Sequence, residues 1–203
     1  MTKKILFNDK YCLTQAVLDR TKTMTRRVLK VPKTCNNKEV YSFNILTNNA
    51  GTQCVDLVDE NGDVLGSWKP HYEVGEIVAI AQSYKEIYPN ADFEMVGDGF
   101  MTESAGWTNK MFVRANLMKR HIMFTDAKVE RLQSISDDDI LREGVWQLGE
   151  VFYVSKAVGE APDVAFLTAR EAFWYLIDKV SGKGTWESNP FVVAYSFELV
   201  DKI

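Results

Sequence analysis

Residues 20–28, RTKTMTRRV, place three threonines among four cations. Side chains alternate between the two sides of an extended strand, so Lys22 and Thr25 would face opposite ways if the whole stretch were extended. A corner between a helix and a strand at residues 22–24 brings both side chains to one side, and Arg27 then shares the face of Thr25. We therefore expect an ammonium, a hydroxyl and a guanidinium around one small volume. Arg26, on the opposite face, is assigned to an ion pair or to contact with a nucleic acid backbone.

The corner is expected to join a short helix to a β-rich body. The spacing of side chains over residues 10–18 predicts the helix. Short β-like runs over residues 40–68, separated by NNAG and ENGD, predict a meander of hairpins. Alternating or apolar patterns predict further strands within 74–84, 121–135 and 189–200. The expected fold class is α+β, a mostly antiparallel β-barrel with a few peripheral helices.

Two more helices are predicted in the second half of the chain. Ser136, followed by Asp139 three residues later, predicts an N-cap for a helix over 136–142, and the three aspartates are assigned to capping rather than to a metal. Glu143 falls at the C-terminal end of this helix, where an ionised carboxylate is disfavoured by a few tenths to about 1 kcal/mol. A second helix is expected over 163–181, with one apolar stripe that is assigned to the core: Phe166, Leu167, Phe173, Trp174, Ile177 and Val180.

Length and charge limit the function classes. A chain of 203 residues with 46% hydrophobic residues can fill a core, and we expect one domain over 1–203, with insertions near 36–70, 86–109 and 146–162. Its net charge of −4 opposes a generally basic nucleic acid coat and leaves room for a local basic site.

The sequence carries no pattern typical of a membrane segment, a cofactor or a metal site. The run ILF at 5–7 is too short for a signal peptide, and no segment reaches eighteen apolar residues. Three cysteines without a CxxC pair fit a reducing compartment, and two histidines do not frame a zinc site. No glycine-rich phosphate loop is present. We expect a cytoplasmic protein with no cofactor and no metal.

A second basic group lies in the middle of the chain. Together with the cations of 20–33 it predicts a face for a polyanion, although scattered solvated side chains explain this group equally well. Its members are Lys110, Arg114, Lys119, Arg120, His121 and Lys128. Three aromatic residues are candidates for base stacking, with core packing the stronger reading for each: Tyr84, Trp107 and Trp146.

Four segments in the same order resemble proteins of the ASCH group. They are KTMTRRV (22–28), VGEIVAI (74–80), VERLQSISDDDILREGV (129–145) and WESNPFVVAYSFEL (186–199). The resemblance is particularly close for phage-type and prophage-type members, and it covers most of the chain outside the insertions. It implies a small barrel similar to the PUA domain of RNA-binding proteins. The motif usually has glycine two residues before the lysine, where this chain has Arg20.

The resemblance implies two functions. ASCH-like and PUA-like barrels are expected to bind RNA or a nucleobase beside the motif. The implied ligand-binding residues are Lys22, Thr23, Thr25, Arg26, Arg27, Arg114 and Arg120. The related bacterial N4-acetylcytidine amidohydrolase instead cleaves an acetyl group with a lysine, a threonine and a glutamate. Those residues fall on Lys22, Thr25 and Glu143.

From the sequence, binding of RNA or of a modified nucleoside is the preferred function, and amidohydrolysis is the alternative. The extra length and Arg20 favour binding. If the chain is an amidohydrolase, substitutions at Lys22, Thr25 and Glu143 are expected to lower turnover and to leave the thermal midpoint nearly unchanged. A third reading is a protein-interaction module in which residues 36–70 cover the cleft.

Overall fold

The fold is a mixed α+β arrangement of several sheets and few helices, as the sequence predicts. The computed structural model describes residues 3–47, 53–91, 94–154 and 164–200. Strands take up 35% and helices 26% of it, which excludes a mainly helical protein.

Within these ranges the strands are β1 (Lys4–Ile5), β2 (Met24–Val28), β3 (Thr34–Cys35), β4 (Lys38–Glu39), β5 (Ser42–Thr47), β6 (Gln53–Val58), β7 (Val64–Trp68), β8 (Ile77–Ile80), β9 (Met95–Val96), β10 (Gly99–Phe100), β11 (His121–Arg131), β12 (Trp146–Leu148), β13 (Val151–Tyr153) and β14 (Phe191–Val200). The α-helices are α1 (Leu13–Leu18), α2 (Tyr84–Ile87), α3 (Asp137–Arg142), α4 (Ala169–Ser181) and α5 (Thr185–Ser188). Short 3₁₀ turns lie at Asp9–Tyr11, Met101–Glu103, Lys110–Phe112, Ala115–Leu117 and Leu132–Ser134.

A five-stranded sheet in the order β1-β8-β11-β14-β2 forms the centre of the fold. The pair β1–β8 is parallel, and the other three pairs are antiparallel. The two longest strands, β11 and β14, pair along their whole lengths, with a bulge between Phe124 and Asp126. The predictions of strands within 121–135 and 189–200 and of a mostly antiparallel arrangement are therefore confirmed.

The two edge strands of this sheet approach each other. The guanidinium of Arg27, on edge strand β2, donates to the carbonyl oxygen of Leu6, one residue after edge strand β1, over 2.8 Å. Within the described ranges no backbone ladder joins β1 to β2, so the ladders do not close a ring. The sheet is curled, with a gap between its edges that is bridged by a side chain.

The predicted meander forms a separate sheet, β5-β6-β7. It packs on the central sheet through Val55, which is fully buried, and through Phe43, whose ring meets Phe191 edge-on at 5.1 Å. Gly62, in the predicted ENGD turn, has a φ of +85° that favours glycine. The predicted NNAG turn lies outside the described residues.

The helix predictions hold with shifted boundaries. The Ser136 hydroxyl caps α3 by accepting from the Asp139 amide, and the helix ends before Gly144, as expected. Helix α4 begins later than the predicted 163, because Thr168 and Glu171 form a capping box that fixes its start. Residues 155–163 lie outside the described part of the chain.

The predicted apolar stripe of α4 is wrong in part. Phe173, Leu176 and Ile177 are buried, as a helical period requires. Leu167 precedes the helix and is 78% exposed, and Trp174 is 42% exposed because it lies next to Phe173 on the turn and points off the stripe.

The predicted insertion 86–109 has its own small core. Tyr84, Ile87, Met101, Val113 and Met118 pack together beside the end of β8. The following turn is anchored by Lys4, whose ammonium donates to the carbonyl oxygens of Lys110, Met111 and Val113 at 3.1, 2.6 and 2.8 Å. None of the helices in the described ranges has the length and apolar character needed to cross a membrane.

Candidate functional site

A cleft of about 620 Å³ lies at the gap between the two edges of the central sheet. Such a volume suits a small organic ligand. Its lining comes from the chain after β1, from β2, from the end of α3, from the turn at 108–111 and from one face of α4: Leu6, Phe7, Asn8, Asp9, Leu13, Lys22, Thr25, Arg26, Arg27, Thr108, Asn109, Lys110, Met111, Glu143, Phe173, Leu176, Ile177, Val180 and Ser181.

The corner at residues 19–23 presents Lys22 to this cleft. The amides of Thr21 and Lys22 both donate to the carbonyl oxygen of Ala16 over 2.9 Å, which ends α1. Thr23 then joins two elements, since its amide donates to Arg142 and its carbonyl accepts from Phe197, both over 2.9 Å. These bonds fix the turn that separates Lys22 from strand β2.

Arg20 occupies the left-handed region, with a φ of +61°. This is the position where the resembling motif has glycine, and a side chain there costs roughly 1–2 kcal/mol. The corner therefore has the backbone geometry that glycine would favour, and the chain forms it at the expense of local strain.

Lys22 and Glu143 form a buried ion pair. Lys22 is 2% exposed and Glu143 is 5% exposed. The Lys22 ammonium lies 2.8 Å from Glu143 Oε2 and 2.6 Å from the Glu143 carbonyl oxygen. Burial lowers the pKa of Lys22 below its usual range, although the charge of Glu143 opposes this effect. An ammonium has three N–H groups, so one remains for Thr25 or for a ligand.

Thr25 lines the same cleft, and its hydroxyl is uncommitted. The residue is buried in β2 and lines the cleft. Its backbone pairs with Tyr195 of β14, while no side chain or backbone group in the described ranges hydrogen-bonds the hydroxyl. A hydroxyl that faces a cleft without an internal partner is available to a ligand.

Arg26 forms ion pairs, the role to which the sequence assigns it. Its guanidinium reaches Glu143 Oε1 at 3.1 Å, Glu130 Oε1 at 2.7 Å and Asp139 Oδ2 at 3.0 Å. Burial acts to lower the pKa of Arg26, but the neighbouring carboxylates Glu143, Glu130 and Asp139 outweigh burial and raise it. Arg26 therefore carries a permanent positive charge beneath the cleft.

Arg26 and Arg27 both line the cleft. Thr25 and Arg27 lie on one face of β2 and Arg26 on the other, as alternation requires. Because β2 is an edge strand, side chains from both of its faces reach the rim of the sheet, and all three line the same cleft.

The opposite wall is apolar and comes from α4, whose Leu176, Ile177 and Val180 face the cleft. Lys110 closes one end by donating to the Phe7 carbonyl oxygen and to Asp9 Oδ1, both over 2.7 Å. The cleft thus combines a polar wall with an apolar one, an arrangement that suits a small ligand with polar and apolar parts.

Several residues predicted for ligand binding do not line the cleft. The Thr23 hydroxyl accepts from Arg142 Nε over 3.1 Å, and Arg114 and Arg120 lie outside the lining. The stacking candidates are also elsewhere, because Tyr84 and Trp107 pack in the small core and Trp146 stacks on Tyr153 at 4.6 Å. No residue of 36–70 that the structure describes lines the cleft.

Sequence reasoning missed Glu130 and treated Asp139 only as a capping residue. Arg26 pairs across β14 with Ala194, which pairs with Lys128, two residues from Glu130. The small residue Ala194 therefore lies between Arg26 and the strand that carries Glu130, and the strand register reveals this. In the described ranges no group of three or more His, Cys, Asp or Glu side chains is arranged to hold a metal ion.

Comparisons with protein-family models, with curated proteins and with solved structures found no match for this chain.

Proposed function

We propose that the cleft binds an N-acylated nucleoside and hydrolyses its amide bond. The observation that carries this proposal is the buried Lys22–Glu143 pair, with a 2.8 Å contact, beside the uncommitted hydroxyl of Thr25 in one cleft. A lysine whose pKa is lowered by burial is a suitable general base, and a hydroxyl beside it is a suitable nucleophile. The resemblance to the N4-acetylcytidine amidohydrolase points to the same three residues.

The chemistry follows from these groups. Neutral Lys22 takes the proton of the Thr25 hydroxyl while the oxygen forms a bond to the acyl carbon. The carbon–nitrogen bond then breaks, and the proton on Lys22 passes to the leaving nitrogen, which gives the deacylated nucleoside and an acyl ester on Thr25. Water, activated by Lys22, attacks the ester carbonyl, so that the acyl group leaves as a carboxylic acid and the hydroxyl of Thr25 is restored. Glu143 holds Lys22 in place for both proton transfers.

The cleft suits such a substrate in two further ways. Arg27 is exposed and placed to contact the carbonyl oxygen or a phosphate, since it shares the face of Thr25. The apolar wall of α4 can take the acyl group and the face of the base. We also propose that the curled central sheet corresponds to the PUA-like barrel that the resemblance implies.

Incubation with N4-acetylcytidine tests the proposal. The wild-type protein is expected to release cytidine, and Lys22→Met is expected to lower kcat/KM by about a thousandfold or more. Lys128→Met is the matched control, because Lys128 is 59% exposed and lies outside the cleft. No cytidine from the wild-type protein, or equal rates for the two variants, refutes hydrolysis at this site.

Binding of RNA or of a nucleoside without hydrolysis is the second candidate. It is favoured by the cleft lining, which holds four cationic side chains against two carboxylates in a chain of net charge −4. Under this alternative no acylated nucleoside is turned over. RNA affinity instead falls with salt, and Arg27→Gln flattens the slope by about one unit if one phosphate contact is lost.

A further inference from the structure

We propose that Arg26 is a positioning residue that allows Lys22 to give up its proton, by remaining as the counter-ion of Glu143 when the ammonium becomes neutral. The consequence for turnover rests on the proposed function. Glu143 offers one carboxylate oxygen to each cation, with Oε2 at 2.8 Å from Lys22 Nζ and Oε1 at 3.1 Å from Arg26 Nη1.

The two cations differ in what they can do with a proton. A guanidinium stays protonated at all working pH values, whereas a buried lysine titrates readily. If Lys22 were the only partner of Glu143, deprotonation would leave a buried carboxylate without a cation, which is strongly unfavourable. Because Arg26 contacts the other oxygen, Glu143 stays paired in both protonation states of Lys22.

Arg26 cannot move away from this position. Its side chain is 1% exposed, and its Nε and Nη2 both donate to Glu130 Oε1, at 3.1 and 2.7 Å. Asp139 takes a further bond from Nη2 at 3.0 Å. Glu130 and Asp139 therefore hold the remaining nitrogen, Nη1, towards Glu143.

The charged groups around Lys22 and Glu143 determine how each substitution shifts the pKa of Lys22. Lys22 faces Glu143, Arg26 and Arg27, and the two arginines lower its pKa while Glu143 raises it. Outside this shell, Lys128 pairs with Glu130 and Arg142 with Asp139. At the far end of the cleft Lys110 pairs with Asp9.

The experiment follows the Lys22 side chain by NMR in protein labelled at lysine Nζ and Cε, across a pH titration, so it needs no turnover. Arg26→Gln removes the second cation and is expected to raise the pKa of Lys22 by about one to three pH units. Glu130→Gln removes a buried negative charge that Arg26 shares, and is expected to shift the pKa of Lys22 downwards. Arg26→Lys replaces the guanidinium with an ammonium that itself titrates when buried, so it is expected to raise the pKa of Lys22 as well, by less than Arg26→Gln does.

Lys128→Gln is the matched control, since it removes an exposed cation that pairs with Glu130 and has no ion pair with Glu143 in the described ranges. Its Lys22 titration is expected to stay at the wild-type position. Where Arg26→Gln does not fold, the downward shift in Glu130→Gln and the smaller upward shift in Arg26→Lys are the expected results. A Lys22 titration that does not move in Glu130→Gln, or that moves upwards, overturns the proposal.

Turnover provides a second, separate readout. The acidic limb of the pH profile of kcat/KM for N4-acetylcytidine is expected to move with the pKa of Lys22. At a fixed pH on the acidic side of that pKa, a shift of one pH unit changes kcat/KM tenfold. If the NMR shifts occur and no variant or wild type shows turnover, the charge role of Arg26 stands and the proposed function fails. If turnover occurs and the limb stays fixed in Glu130→Gln, the role of Arg26 fails and the proposed function stands.

Discussion

Removal of either partner from the Lys22–Glu143 pair is expected to destabilise the protein, and by unequal amounts. In Lys22→Met, Glu143 keeps the contact of Oε1 with Arg26 at 3.1 Å and loses only the contact of Oε2. The expected loss is about 1–3 kcal/mol, the cost of leaving part of a buried charged group unsatisfied. In Glu143→Gln, Lys22 loses its only carboxylate partner in the described ranges, while it stays 2% exposed beside Arg26. The expected loss is about 3–5 kcal/mol, the cost of a broken buried ion pair.

Urea unfolding followed by tryptophan fluorescence measures this asymmetry, since the chain has five tryptophans. The double variant Lys22→Met/Glu143→Gln removes both charges and is expected to cost less than the sum of the single variants, with a coupling of about 2 kcal/mol. Equal losses, a larger loss for Lys22→Met, or strict additivity would refute the reasoning. Because both side chains are buried, we expect changes at Lys22 and Glu143 to lower the thermal midpoint, whereas the sequence alone led us to expect it to stay nearly unchanged.

Three further predictions concern pH and the backbone around the site. The pKa of Lys22 is lowered in the folded state, so the unfolded chain binds more protons between that pKa and about 10.4. The unfolding free energy of the wild type relative to Lys22→Met should therefore rise with pH in this window. Urea titrations below pH 10 avoid the raised pKa values of Tyr72 and Tyr195, and a free-energy difference that is flat or falls with pH contradicts the expected sign. Arg20→Gly should increase stability by about 0.5–1 kcal/mol, because relief of left-handed strain exceeds the entropic cost of glycine; a lower urea midpoint would show that Arg20 is not strained. Gly144→Ala should lower the unfolding free energy by about 1–3 kcal/mol and also slow turnover. At a φ of +103°, the new Cβ would lie 2.9 Å from Leu13 Cδ2 and 3.5 Å from Lys22 Cδ. Gly149→Ala, at a φ of +60° with nothing within 4 Å of the new Cβ, is the control for backbone strain alone and should leave turnover unchanged.

The predictable parts of the fold are those that depend on short patterns of neighbouring residues in the sequence. Alternation at AKVERL within 121–135 is enough to predict β11, and the Ser136 cap with Gly144 defines both ends of α3. The distance of three residues between Lys22 and Thr25 required a corner, and the structure has one between α1 and β2. Each of these depends on neighbours in the chain.

The remaining features depend on contacts between distant segments. The pairing of Arg26 with Glu130 needs the registers of two ladders and a small residue, Ala194, between them. Arg26 and Arg27 can line one cleft only because β2 is an edge strand. The alternation of side chains along a strand does not reveal the order of strands in a sheet. The Thr168–Glu171 capping box marks the start of α4 in the sequence. The apolar residues at helical spacing begin before Thr168, which is why the spacing alone predicts an earlier start.

Under the proposed function, Thr25 supplies the hydroxyl that attacks the acyl group. Because that hydroxyl has no internal partner in the described ranges, Thr25→Val removes it without breaking a hydrogen bond, and Thr25→Ser retains it. The measurement is kcat/KM for N4-acetylcytidine in both variants, with Thr47→Val, an exposed strand position outside the cleft, as the control. We predict a loss of about a thousandfold or more in Thr25→Val with an unchanged thermal midpoint, and activity within about tenfold of wild type in Thr25→Ser and Thr47→Val. Turnover by Thr25→Val at the wild-type rate would contradict the claim.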